Sequence, residues 1–474
     1  MLRHVLLLLL FCLPLATFAA TLPTDARTID TRTAKRIDAD VEQILQRTHT
    51  PGATILVAKH GQIIYRHAYG LGNREDLRPA TVDTEYEIGS ITKQFTAAAI
   101  LQLQEAGKLR LDDKLSTYLP TVPHASEVTL RQLLSHTSGM PEYLDAMDAA
   151  GTIDKPASFD KLMSYIAGKP LDFPPGSHWS YSNTGYIMAG RVIEIVSHES
   201  YRQYVRTHLL DRAGMTHTFT VAEERKLPNM ATGYDRENGQ IKPARTIAAS
   251  VGWAAGFLVS TVDDLEKWNL ALRSGKIVTP ADYALMSTSV KTARGNAGYG
   301  LGLFVDSIDD QPRVGHTGGS LGFTTANEYF PRQDLQIIAF TNFVDNPEPG
   351  ETITTAIFED LNPAVAAAAM RPSPGKDPTV SAKAKAYFAQ MQAGDPNSPY
   401  LTAKLNNKMK AGLAKHLAEE FKGYGQPTAF VFKGTHVDAG VTFYDYVARF
   451  GPGSMLKFGI ALDKAGKIKS LSFR

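Results

Sequence analysis

Ser90 and Lys93, in the stretch EIGSITKQF at residues 87–95, stand three residues apart. That spacing puts a hydroxyl and an amine on one face of a helical first turn. A lysine held in a water-poor place loses the hydration of its charged form, so its pKa falls and the neutral amine becomes a base for serine. The positive end of the helix then favours the developing oxyanion, and the Ser90 backbone N–H can donate to it. Spacing alone does not discriminate, because it recurs at Ser158/Lys161, Ser373/Lys376 and Ser454/Lys457. Ser373 falls in a proline-rich stretch, and Ser454 follows Gly451-Pro452-Gly453 at a strand entry. Ser158 reads as a helix N-cap with Asp160 and Lys161 in the first turn. Ser90 differs in its downstream neighbours: Ile91, Phe95, Ala98, Ala99, Leu101 and Leu103 make the next helix apolar on most faces, which predicts burial.

Two further constellations carry chemistry. Tyr181-x-Asn183 lies between the loop FPPGS and an apolar helix. A tyrosine near a lysine can be held partly as phenolate and pass a proton between serine and leaving group, while an asparagine amide can hold the lysine and a substrate carbonyl. The stretch HTGGSLGF, His316 to Phe323, reads as a strand whose glycines permit close backbone approach. Within it Gly318-Gly319-Ser320-Leu321-Gly322 fits the Gly-x-Ser-x-Gly pattern, but that elbow needs a helix after the serine, and the following residues are β-like. Ser320 is therefore set aside as a nucleophile. No phosphate-binding glycine loop is present, His198-Glu199 lacks the second histidine of a zinc protease, and the pairs Asp112-Asp113 and Asp263-Asp264 read as helix-start or turn residues. Neither a metal nor another cofactor is indicated.

The elements that must hold these residues follow from periodicity. ATILVAKHGQIIYRHAYGLG predicts an early hairpin turning at His60-Gly61. A helical pattern runs from Ile88 to Gln104, residues 100–290 read mostly as helices and loops, and SNTGYIMAGRVIEIVS is the clearest apolar helix. Strands return with GLGLFVD, RVGHTGG, TANEYF and LQIIAFTNF, the last two joined by the turn PRQD. A sheet built from both ends of a domain, with helices inserted between, is the expectation. Residues 366–376, in a stretch shifted to Ala, Pro and Gly, read as a linker. Residues 377–474 then give two helical stretches followed by alternating strands, a small α+β domain whose order resembles NTF2-like modules.

Length and composition bound the rest. The 474 residues suffice for two or three domains. A hydrophobic fraction of 43%, a charged fraction of 21% and a net charge of +2 describe a globular protein with no field that would recruit nucleic acid or an anionic membrane. MLRHVLLLLLFCLPLATFAA has the basic start, apolar run and small residues Thr17 and Ala19 of a cleaved leader, so residues 1–19 are expected to be removed and the protein exported, with no membrane span remaining. Cys12, the one cysteine, lies in that leader, which leaves no disulfide, cysteine nucleophile or thiolate metal site downstream.

Taken in order, Ser90-Ile91-Thr92-Lys93, Tyr181-Ser182-Asn183 and His316-Thr317-Gly318 resemble the three active-site motifs of the serine β-lactamase and penicillin-binding-protein superfamily. The connecting stretches LRLDDKLSTYLP, VTLRQLLSHTSGMP, FPPGSHWSYSNTGY and AAGFLVSTVDDLEKW resemble its class C β-lactamase-like branch, which includes D-aminopeptidases, D-Ala-D-Ala carboxypeptidases and β-lactamase-like carboxylesterases. The likeness covers about residues 35 to 360. It implies an α+β fold, an antiparallel sheet flanked by helices with an inserted, mainly helical subdomain, within a serine hydrolase domain at 30–365. It also implies that Ser90 is acylated, that Lys93 and Tyr181 share proton transfer, and that Asn183 positions lysine and substrate. His316, Thr317, Gly318 and Gly319 would bind substrate, with the oxyanion between the N–H groups of Ser90 and Gly319. The substrate expected is a small ester, an amide or a short peptide. His316 departs from the lysine usual in the third motif; neutral at pH 7, it would weaken attraction for a substrate carboxylate.

Overall fold

The computed structural model describes residues 26–27, 29–221, 227–344, 348–375, 377–438 and 440–473. The expected leader at 1–19, with Cys12, and Lys376 lie outside the described residues.

A seven-strand antiparallel path forms the main sheet. Its strands are β1 (Ala26–Arg27), β2 (Gly52–Lys59), β3 (Gln62–Asn73), β4 (Phe304–Ile308), β5 (Gln311–Ser320), β6 (Phe323–Phe330) and β7 (Leu335–Thr341), in the spatial order β1-β3-β2-β7-β6-β5-β4. The two ends of the domain meet where β2 pairs with β7, Ile55 opposite Ala339. The predicted hairpin turns at His60 and Gly61, whose φ values of 52° and 70° give the doubly left-handed turn that matches strand twist. The strand expected from Gly300 begins only at Phe304, because residues 300–303 form a tight turn in which the Gly300 N–H donates to the Leu303 carbonyl at 2.8 Å and Gly302 takes φ +76°.

Alternation along the strands separates two cores. On one face Ile55, Val57 and Ile337 pack against α1 (Thr31–Thr48) and a helix near the end of the domain, Pro349–Leu361. On the other, Leu56, Ile338 and Phe340 join a large cluster with the helical subdomain. The centre of that cluster is α2 (Thr92–Glu105), buried from Thr92 through Leu101. A 3₁₀ turn, Gly89–Ile91, precedes α2, so Ser90 stands just before the regular helix. The apolar stretch after the second motif forms α3 (Asn183–Ser197). The region between is not purely helical: Tyr234–Glu237 and Gln240–Pro243 form a hairpin, and Tyr86–Glu87, Leu258–Ser260 and Phe219–Thr220 a small sheet.

Beyond Pro349–Leu361, now α4, the helix Pro363–Ala369 (α5) occupies the start of the stretch read as a linker. Helix α6 (Pro378–Gln392) and the interrupted helical run 403–421 then pack on a four-stranded antiparallel sheet, Ala429–Asp438, Val441–Gly451, Ser454–Leu462 and Ile468–Phe473. Their core, centred on Phe388, Tyr446 and Phe458, is separate from the other two. Among the described residues no helix is long and apolar enough to cross a membrane.

Candidate active site

The two glycine-bearing segments that frame Ser90 approach closely. Gly89 has φ +49°, and a Cβ there would sit 2.5 Å from the Gly319 carbonyl oxygen. A Cβ at Gly318 would sit 2.0 Å from the Ile88 carbonyl oxygen. Only residues without side chains let the turn before α2 press on β5 in this way. The contact sets the residue before Ser90 directly against the backbone of Gly319, which is itself exposed.

Lys93 is 0% exposed in the first turn of α2. Its Nζ lies 2.9 Å from Ser90 Oγ, 2.9 Å from Asn183 Oδ1 and 2.8 Å from the Ala255 carbonyl oxygen. A neutral amine has two N–H donors and one lone pair. Asn183 and Ala255 accept the two donors, and the lone pair faces the Ser90 hydroxyl. Burial lowers the lysine pKa to about 7, with the Glu142 carboxylate pulling it partly back up. The Ala255 carbonyl is free for this role because it lies in the last turn of the segment Ala249–Gly256, and the break at Trp253, φ 29° and ψ −124°, turns the Ala254 and Ala255 carbonyls towards Thr96 and Lys93.

Tyr181 stacks its ring 4.8 Å from Lys93 Nζ and 4.3 Å from the His136 ring. Burial raises its phenol well above the ordinary value, against a smaller lowering by Ser90. Burial thus favours a protonated tyrosine beside a lysine brought towards neutrality, where residue type alone suggested a partial phenolate.

His316 is 2% exposed and fully hydrogen-bonded: Nδ1–H donates to the Thr317 carbonyl at 2.5 Å and Nε2 accepts from the Tyr299 hydroxyl at 2.9 Å. Burial first, and the Lys93 charge second, bring its pKa down to about 3. It is a neutral ring at any physiological pH, and it packs between Tyr299 and Phe304. Thr317 is half-buried on the same strand, and Gly318 is buried where β5 meets the turn before α2.

The remaining serine-lysine pairs stand elsewhere. Ser158 caps Phe159–Ser164 by accepting from the Lys161 N–H, and Ser454 starts a strand of the C-terminal sheet. Ser320 ends β5 with its hydroxyl donated to Glu87, and β6 rather than a helix comes after it.

Three residues of the site escaped the sequence reading. His136, 1% exposed, accepts the Ser182 N–H on Nδ1 at 3.1 Å and so holds the loop carrying Tyr181. Glu142 accepts the Asn183 N–H at 2.6 Å and the Leu144 N–H at 2.9 Å, fixing the first turn of α3; burial raises its carboxyl above the ordinary value. The third is Ala255, which acts through its carbonyl. The quoted connectors contain His136 and Ala255, but nothing in residue type marks them as neighbours of Lys93.

Residues 37–362 match the family described as Beta-lactamase. The chain belongs to the Beta-lactamase family. Among curated relatives of this Beta-lactamase-family protein, PbpX of Bacillus subtilis (strain 168), provisionally named a penicillin-binding protein, is 29% identical over 309 residues, covering 65% of this chain and 75% of that protein. Protein flp of Staphylococcus aureus (strain N315) is 29% identical over 317 residues, covering 65% of this chain and 63% of flp. Among solved structures, a D-stereospecific amidohydrolase from Streptomyces sp. is 26% identical with a TM-score of 0.58, over 65% of this chain and 94% of that one. The octameric penicillin-binding protein homologue from Pyrococcus abyssi, 24% identical with a TM-score of 0.63, shares the fold over 93% of this chain and 98% of its own. That likeness in fold reaches past the family match into the C-terminal sheet domain.

Proposed function

We propose that this protein is an exported serine hydrolase that cleaves an ester or amide through an acyl-enzyme on Ser90, with a D-amino-acid amide or peptide, or a short-chain ester, as substrate. The observation that carries the reading is the neutral-leaning amine of Lys93, fully buried and 2.9 Å from Ser90 Oγ. Lys93 Nζ takes the Ser90 proton as Oγ bonds to the substrate carbonyl carbon. The oxyanion rests between the N–H groups of Ser90 and Gly319, each such donor being worth about 10²–10³ in rate in related chemistry. Lys93 returns the proton through Tyr181 to the leaving oxygen or nitrogen as its bond to carbon breaks. Water then attacks the acyl-enzyme, giving its proton to the same pair, and Ser90 is regenerated. Asn183 holds Lys93 while offering its amide N–H to the substrate carbonyl.

The neutral His316 and the D-stereospecificity named for the Streptomyces relative favour an ester or D-amino-acid amide over a carboxylate-bearing β-lactam. The decisive experiment is intact-protein mass spectrometry after incubation with an active-site phosphonate. The wild type should gain one adduct and Ser90→Ala none; a label that persists in the variant sinks the assignment. Faster turnover of a D-Ala-D-Ala peptide or a cephalosporin than of a short p-nitrophenyl ester would move the reading to a carboxypeptidase or weak β-lactamase, to which the penicillin-binding name of PbpX points. Export is checked by N-terminal sequencing of the mature protein, which should begin after Ala19.

A further inference from the structure

Two cavities adjoin one another on the His316 side of the site. The smaller, about 230 Å³, is lined by His316, Thr317, Phe304 and Glu328. It shares Asp306, Arg313 and Glu351 with a larger one of about 600 Å³, bounded by Asp309, Glu348 and α4 of the hydrolase domain and by Tyr424 and residues 453–457 of the C-terminal domain.

The walls carry five carboxylates, Asp306, Asp309, Glu328, Glu348 and Glu351, against two cations, Arg313 and Lys457. Arg313 is already committed: it pairs with Asp306 at 2.8 Å, Glu328 at 2.6 Å and Glu351 at 2.8 Å. Glu328 is 2% exposed; its Oε1 accepts from Arg313, Thr354 lies beside it as a further donor, and burial pushes its carboxyl up to about 7. Asp309 Oδ2 is buried with no hydrogen-bond partner among the described residues. Leaving a buried carboxylate oxygen without a donor is costly, so Asp309 Oδ2 marks where a donor is missing. Burial, then like charge, pushes Glu348 up to about 7 and Asp309 up to about 6, the response of carboxylates crowded without enough cations. The carboxylates are spread along the walls, and among the described residues no three acidic, histidine or cysteine side chains converge in metal-binding geometry. An organic ammonium on a flexible chain suits such a wall better than a single hard ion, which needs its oxygens at one point.

We propose that this chamber is a subsite for a protonated amine carried by the substrate, reached around the edge of β5 past Thr317, beyond Gly315 where pairing with β4 ends and where the Glu348 charge is felt at Tyr181. The inference rests on the acyl-enzyme reading above and adds the substrate's charge to it. Where lysine would attract a carboxylate, the third motif holds a neutral ring, and the acidic recess lies on the other face of the same strand, so the preference for charge is inverted. The C-terminal domain then contributes to specificity by closing the far wall of the recess.

The test is a series of p-nitrophenyl esters of ω-amino acids of increasing length, each paired with its uncharged isostere in which a methyl replaces the ammonium, for example 6-aminohexanoyl against heptanoyl. The wild type should favour the ammonium ester by about tenfold or more in kcat/KM at one or two chain lengths, less so in high salt. The double variant Asp309→Asn/Glu348→Gln, and separately Glu351→Gln, should lower that ratio several-fold. A ratio of one or below at every length overturns the proposal; so does a preference that survives intact in the variants, which would place the attraction elsewhere. The wild-type comparison needs no variant, so it decides the question even where a substitution prevents folding. Phosphonate labelling of Ser90 is run on each protein: labelling with no ammonium preference defeats the subsite alone, whereas absence of labelling in the wild type defeats the hydrolase reading.

Discussion

Lys93 is a charge-capable side chain sealed into a helix buried from Thr92 through Leu101, and that placement has two measurable consequences. With the lysine pKa near 7, kcat/KM should fall on the acid side along a limb centred near pH 7 as the amine gains its proton. His136 and His316 are already neutral there, and Tyr181 keeps its proton throughout, so they add no limb in this range. Glu142 favours the charged amine, so Glu142→Gln should move the limb to lower pH and loosen Asn183, a shift a purely structural role would not produce. The same burial bears on stability. The folded lysine has a pKa near 7 against 10.5 for a lysine in water, so between those values the unfolded chain binds the extra proton and stability rises with pH. Thermal melts of Lys93→Met should lack this rise from about pH 7 to about pH 10, and the variant should form no acyl-enzyme; an unchanged pH slope would mean that Lys93 is charged in the fold.

At the scale of elements, the approach of the turn before α2 to β5 does the positioning. Gly89→Ala puts a methyl within 2.5 Å of the Gly319 carbonyl at a φ of +49°, so the segments must separate. Strain of this kind costs about 1–3 kcal/mol, and the expected outcome is a lowered melting temperature with slower phosphonate labelling of Ser90. Equal labelling rates would show that the oxyanion donors do not depend on this contact. The break at Trp253 works in the same register: carbonyls in the last turn have no partner within the helix, and the break aims that of Ala255 at Lys93. The hairpin Tyr234–Pro243 was missed because its strands are short, exposed and charged, although Asn238-Gly239, both at positive φ, carry the turn signal.

Across the whole molecule, the C-terminal domain seats on α4 through Gly453, packed on the Thr352 carbonyl, and through Arg449, whose Nη1 lies 3.0 Å from Oε2 of the 8%-exposed Glu359. Arg449→Met strips the donors from a buried carboxylate at this seam, and a loss of about 2 kcal/mol is expected. Calorimetry should show the effect as an earlier or separated transition of the C-terminal domain, with the hydrolase domain's own transition little changed. A variant that melts as the wild type does would show the seam to be held by packing alone.

The order of the three motifs, the early hairpin, the apolar helices and the four returning strands were legible in the sequence because each is a local pattern: a spacing, an alternation or a turn residue. So was the neutrality of His316, which follows from residue type and deepens with burial. What only the tertiary structure decided depends on residues far apart in the chain. His136, Glu142 and the Ala255 carbonyl come to the site from separate loops, and no periodicity links them to Lys93 or Tyr181. The raised pKa of Tyr181 is of the same kind, since it is set by burial among elements that no single stretch of sequence contains.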